Sequence, residues 1–81
     1  MKKIQKQFEK EIDYDVRYEI VRLNPSLATQ ENYDKEVSWI VRMGMVNSNH
    51  SLATQENYDK EEDYDVRMGM VKINDKLTTK N

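Results

Sequence analysis

Cysteine is absent from these 81 residues, and glycine and proline together number three. Without cysteine there is no disulfide framework, no thiolate zinc site and no thiol nucleophile. His50 is the single histidine, which excludes a histidine-rich metal centre. A small sheet protein needs several tight turns, and most of those require Gly, Pro or Asn-Gly. Here both glycines, Gly44 and Gly69, sit inside apolar runs rather than between them. Few breakers imply few, long elements. No apolar stretch approaches the roughly 18 residues of a membrane span, and no signal-peptide core follows Met1-Lys2-Lys3. The charge is also unremarkable in sign, with 13 basic and 15 acidic side chains and a net of −2. That balance gives no electrostatic footprint for nucleic acid or an anionic membrane. The expectation is a soluble, cytoplasmic chain of one small domain, 1–81, and nothing in its composition names an activity.

What the chain does have is repetition. Residues 26–36 and 51–61 both read SLATQENYDKE, and residues 41–46 and 66–71 both read VRMGMV, always 25 positions apart. Residues 1–25 fall on the same frame, with Gln5, Lys10, Glu11, Val16, Arg17, Val21 and Asn24 recurring in both later segments. The second and third segments agree at 18 of 25 positions, far beyond chance for unrelated segments. The chain therefore divides into units 1–25, 26–50 and 51–75, with a stub 76–81. The third unit is a mosaic. Its ends follow the second unit, while Asp63–Arg67 follows Asp13–Arg17 of the first. Recombination between units produces that pattern, and so does an artificial, computer-generated origin.

Asn24, Asn49 and Asn74 mark one break per unit, and Asn24-Pro25 is a good cap and first-turn pair. One break per unit points to one helix of about 18–20 residues and a short loop, as in helical bundles. The apolar spacing agrees. Ile4, Phe8, Ile12, Val16, Ile20 and Leu23 step by three or four, as do Tyr33, Val37, Val41 and Met45. The fold class read from this pattern is all-α, a bundle of three helices. Val16, Val41 and Val66 share the middle of the stripe and are expected in its core. A rival pattern of period two runs through Tyr14-Val16-Tyr18-Ile20 and Val37-Trp39-Val41-Met43, which suits a small α/β layer of helix–strand units.

No residue set suggests catalysis. His50 and Ser51 are adjacent, so their side chains diverge, and no third group orients them. The carboxylates of Asp13-Tyr14-Asp15 and Asp63-Tyr64-Asp65 lie about 200° apart on a helix and read as solvated face. No cofactor, metal or small-molecule substrate is expected. On the helical reading, Tyr14, Tyr18, Trp39, Met43, Tyr64 and Met68 lie opposite the core stripe, on a face one bundle cannot bury. Aromatic and Met side chains are enriched at interface cores. They point to protein binding, through a homo-oligomer or a protein partner. The unit charges run from +1 through −1 to −4, a gradient that favours head-to-tail contact. The expected role is thus non-enzymatic, structural or in self-association. As the alternative, Tyr18–Leu27 (YEIVRLNPSL) resembles the start of a dimeric ribbon-helix-helix DNA binder, which implies a strand entering a capped helix.

Overall fold

A computed structural model describes residues 2–78. The all-α class is what it shows. Six α-helices follow one another as α1 (Lys2–Lys10), α2 (Tyr14–Leu23), α3 (Gln30–Lys35), α4 (Trp39–Ser48), α5 (Gln55–Lys60) and α6 (Tyr64–Ile73). Short 3-10 turns, Pro25–Leu27 and His50–Leu52, precede α3 and α5. No strand occurs among the described residues. The period-two runs are helical because Tyr14–Ile20 and Trp39–Met45 close intrahelical bonds instead of pairing with a neighbour.

Each unit holds two helices, not the single helix of 18–20 residues expected from its spacing. The missing breaker is built from side chains. Glu11, Glu36 and Glu61 end the short helices, and each carboxylate accepts the N–H two residues on, from Asp13, Ser38 and Asp63, at 3.0 Å in every case. Arg17, Arg42 and Arg67 reach back six residues and donate to the carbonyls of the same glutamates at 3.0, 3.0 and 2.8 Å. Asp13 then caps α2, its carboxylate accepting from Asp15 N–H and Val16 N–H, and Asp63 caps α6 through Val66 N–H. Ser38 before α4 makes no side-chain cap, so there the glutamate and arginine bonds alone hold the bend, and the chain turns without glycine or proline.

The long helices form the main layer, with α2 against α4 and α4 against α6. The stack measures 40 × 20 × 17 Å. Val21, Val41, Met45, Val46, Val66 and Met70 fill the spaces between long helices and are fully buried. Phe8, Tyr33 and Tyr58 of the short helices and Leu27, Leu52 and Leu77 after the asparagine breaks complete the core. Leu77 belongs to the stub, whose last residues, 79–81, lie outside the described residues.

The expected stripe is corrected at its ends. Val16 is 43% exposed although Val41 and Val66 are fully buried. This position packs against the preceding unit, and α2 has none before it. Ile12, expected on the same face as Phe8, is also exposed, because it lies in the bend at Glu11–Asp13, and Leu23 is exposed at the last residue of α2. The two glycines have a packing reason. A Cβ on Gly44 would sit 2.9 Å from two ring carbons of Tyr18, and one on Gly69 would sit 2.9 Å from Sδ of Met43. Glycine at these points lets neighbouring long helices approach closely.

Candidate functional site: an apolar edge over a buried polar ladder

The bends at Glu11–Asp13, Glu36–Ser38 and Glu61–Asp63 line up along one edge of the stack. Because the glutamate turns inward to its amide and arginine, the following residue is turned outward. Ile12 is 92% exposed and Val37 87%. Two residues later each long helix begins with an aromatic, Tyr14, Trp39 or Tyr64. The first residue of a helix has no preceding turn to pack on. All three rings are accordingly exposed. Arg67 lies 6.0 Å from the centre of the Tyr64 ring, a cation–π contact at the end of the row.

Beneath this edge runs a ladder of polar contacts between units. Arg17 donates Nε–H and Nη2–H to the two carboxylate oxygens of Glu36 at 3.2 and 2.8 Å. Arg42 does the same to Glu61 at 2.9 and 2.9 Å. Tyr33 adds its hydroxyl to Glu61 at 2.5 Å, whereas Phe8 occupies the equivalent place one unit earlier and has none to give. On the opposite side, the amides of Gln5 and Asn32 exchange bonds at 2.8 and 2.9 Å, and those of Gln30 and Asn57 at 2.8 and 3.0 Å. Within a unit, Asn49 and Asn74 donate back to the carbonyls of Ala28 and Ala53 at 2.7 and 2.8 Å, tying the end of each unit to its beginning. No buried side-chain polar atom among the described residues lacks a partner.

Charge in this ladder is held in fixed states. Burial alone would raise the Glu61 carboxyl, but the bonds from Arg42, Tyr33 and the Asp63 amide together outweigh it and hold the group below its ordinary value. Burial, followed by the bond to ionised Glu61, pushes the Tyr33 phenol far above its ordinary range. Two open hollows lie over the ladder, one unit apart, about 280 Å³ beside Phe8 and Arg17 and about 370 Å³ beside Tyr33 and Arg42. Their floors are the paired arginines and glutamates, already fully engaged with each other. Among the described residues no group of three His, Cys, Asp or Glu side chains could hold a metal ion.

The six residues singled out for protein binding divide in two. Tyr14, Trp39, Tyr64 and Met68 are exposed. Tyr18 and Met43 are half-buried, pressed onto the glycines of the next unit. The pattern of helical spacing missed Ile12 and Val37, since a continuous helix would have placed them inward. It also missed the Arg–Glu ladder, although Glu11 and Arg17 recur at the same frame positions in all three units. Tyr18–Leu23 lies within α2 and Pro25–Leu27 is a 3-10 turn, so the strand that a ribbon-helix-helix protein requires is not formed there. No described helix is long and apolar enough to cross a membrane. The chain matches no described protein family, no curated protein and no solved structure.

Proposed function

We propose that the chain is a non-enzymatic repeat scaffold whose role is protein–protein contact through the edge carrying Tyr14, Trp39 and Tyr64. The observation that carries this reading is the recurrence of one exposed aromatic ring at the same place in every unit, 47%, 41% and 65% exposed. Ile12 and Val37 extend the edge into a contiguous apolar surface, the kind that marks an interface. The rings stand on a rigid support, because each helix start is fixed by the capped bend behind it. Rigid aromatics give contact area at little loss of side-chain freedom. The occupant favoured here is a second copy in a face-to-face dimer, the commonest arrangement for like surfaces.

Trp39 is the single tryptophan and reports directly on the edge. Sedimentation equilibrium and Trp39 emission should change together with concentration. The mass should rise to a dimer and the emission should move to the blue. Tyr14→Ser combined with Tyr64→Ser should leave a folded monomer with unshifted emission. A wild-type chain whose mass and emission both stay constant with concentration would refute the dimer.

A further inference from the structure

The ladder between units is formed twice inside the chain, and one half of it stands ready at each end. Arg67 is held by the Glu61 carbonyl at 2.8 Å, as Arg17 and Arg42 are held by theirs. Yet no carboxylate meets it among the described residues. Glu11 is held by the Asp13 amide at 3.0 Å, as Glu36 and Glu61 are held. Yet no arginine meets its carboxylate. The apolar positions show the same truncation. Val71 is partly exposed where Val21 and Val46 are fully buried, and Met68 is 40% exposed. At the other end Val16 is 43% exposed and Ile20 only partly covered, where Val41, Val66, Met45 and Met70 are fully buried.

We propose that the outward face of α6 docks on the outward face of α2 of a second copy, head to tail, with Arg67 taking Glu11. The occupant is set by complementarity, since each face carries what the other lacks, and the first unit (+1) and the third (−4) are opposite in net charge. The contact uses the long-helix layer, which carries the packing between units inside the chain. The stub already fills the place of the next unit's first residues, with Leu77 in the core and Thr78 on Gln55 through two hydrogen bonds at 3.0 and 2.8 Å, so the docking copy offers α2 and Glu11 and its first residues give way to the stub. One residue opposes it. Glu19 stands at the frame position where Gly44 and Gly69 admit the Tyr18 ring and the Met43 sulfur. In the docked pair the knob is Met68, a flexible thioether that can give way where a ring could not. The association is therefore weak, and it is open-ended, because a head-to-tail contact does not close on itself.

Sedimentation of the full chain tests this independently of the apolar edge. Edge pairing stops at a dimer and moves Trp39 emission, whereas end docking grows with concentration and leaves Trp39 unchanged. Glu19→Gly should lower the concentration needed for growth at least tenfold, and Arg67→Gln or Glu11→Gln should each raise it at least tenfold. An equimolar mixture of Arg67→Gln and Glu11→Gln chains retains one competent contact and should stop at a 1:1 pair. Circular dichroism should match wild type in all three variants, since among the described residues neither Arg67 nor Glu11 meets a charged partner and Glu19→Gly removes only the exposed pair with Arg22. Absence of growth in both wild type and Glu19→Gly up to about 1 mM would overturn the proposal. So would growth of the Arg67→Gln chain equal to wild type, or a mixture that stays monomeric.

Discussion

Arg42→Met removes one partner of the most buried ion pair and leaves the other in place. The Glu61 side chain is 2% exposed and that of Arg42 17%, with two parallel bonds between them. After the substitution the carboxylate keeps only the Tyr33 hydroxyl and the Asp63 amide. Breaking a buried pair from one side costs about 3–5 kcal/mol, because an uncompensated charge remains out of water. A chain of this length is stable by about 4–12 kcal/mol at the usual range per residue. The variant should therefore lose a quarter of its stability or more, and its Tm should fall by at least about 12 °C. Arg67→Met is the internal control, since it removes the same side chain where no carboxylate faces it. Its expected cost is below about 1 kcal/mol. Urea unfolding followed by helical circular dichroism reads both variants, and an unchanged slope would show that only stability moved. Replacing the whole cluster, Tyr33→Phe with Arg42→Met and Glu61→Leu, should recover part of the loss, since no charge is left buried, but not all of it, since the Asp63 amide and the Glu36 carbonyl lose their side-chain partners. Equal destabilisation by Arg42→Met and Arg67→Met would refute the argument that the ladder, rather than the arginine stem, holds the units together.

Two further outcomes follow from the same ladder. Asn57→Ala strips three side-chain hydrogen bonds at a residue only 1% exposed, leaving the Leu52 carbonyl with the Thr54 N–H alone and the Gln30 amide with Asp34 alone. It should cost about 1–3 kcal/mol in the same unfolding assay, while Gln7→Ala on the exposed side of α1 should cost almost nothing. Stability should also fall at both pH extremes. Glu61 titrates below its ordinary 4.5 in the folded state, so its contribution is complete above that pH and is lost as the pH falls through the lowered value. Tyr33 titrates above its ordinary 10.0, so its contribution is complete below that pH and is lost as the pH rises beyond it. Thermal melting across the range checks both limbs, and Tyr33→Phe should flatten the alkaline one.

Much of this structure was legible in the residues alone. Helix was favoured by the scarcity of glycine and proline and by apolar steps of three and four. The frame of 25 was visible in the letters. Of the seven residues that recur in all three units, five mark positions that carry the contacts between units. Gln5, Glu11 and Arg17 mark the polar ladder and Val16 and Val21 the packing of the long helices, while the Asn24 position closes a bond inside its own unit. Only Lys10 is simply exposed. Repetition therefore marked the interface before any geometry was known.

The bend within each unit was not legible, because nothing at Glu36–Ser38 disfavours helix by itself. It exists because Arg42, six residues on, pulls the Glu36 carbonyl out of the helical ladder while Glu36 accepts the Ser38 amide. The third unit makes the same exchange with no unit after it, so the bend belongs to each unit, while the bonds from Tyr33 and Arg42 to Glu61 tie it to the next. Which valines are core was likewise undecided by spacing. Val16, Val41 and Val66 are identical in type and frame, yet only the two with a unit before them are buried. The residues chose helix and period. Stacking chose where each helix stops, which of two equivalent side chains is covered, and which aromatic rings are left at the edge, since burial depends on a neighbour that local sequence does not contain.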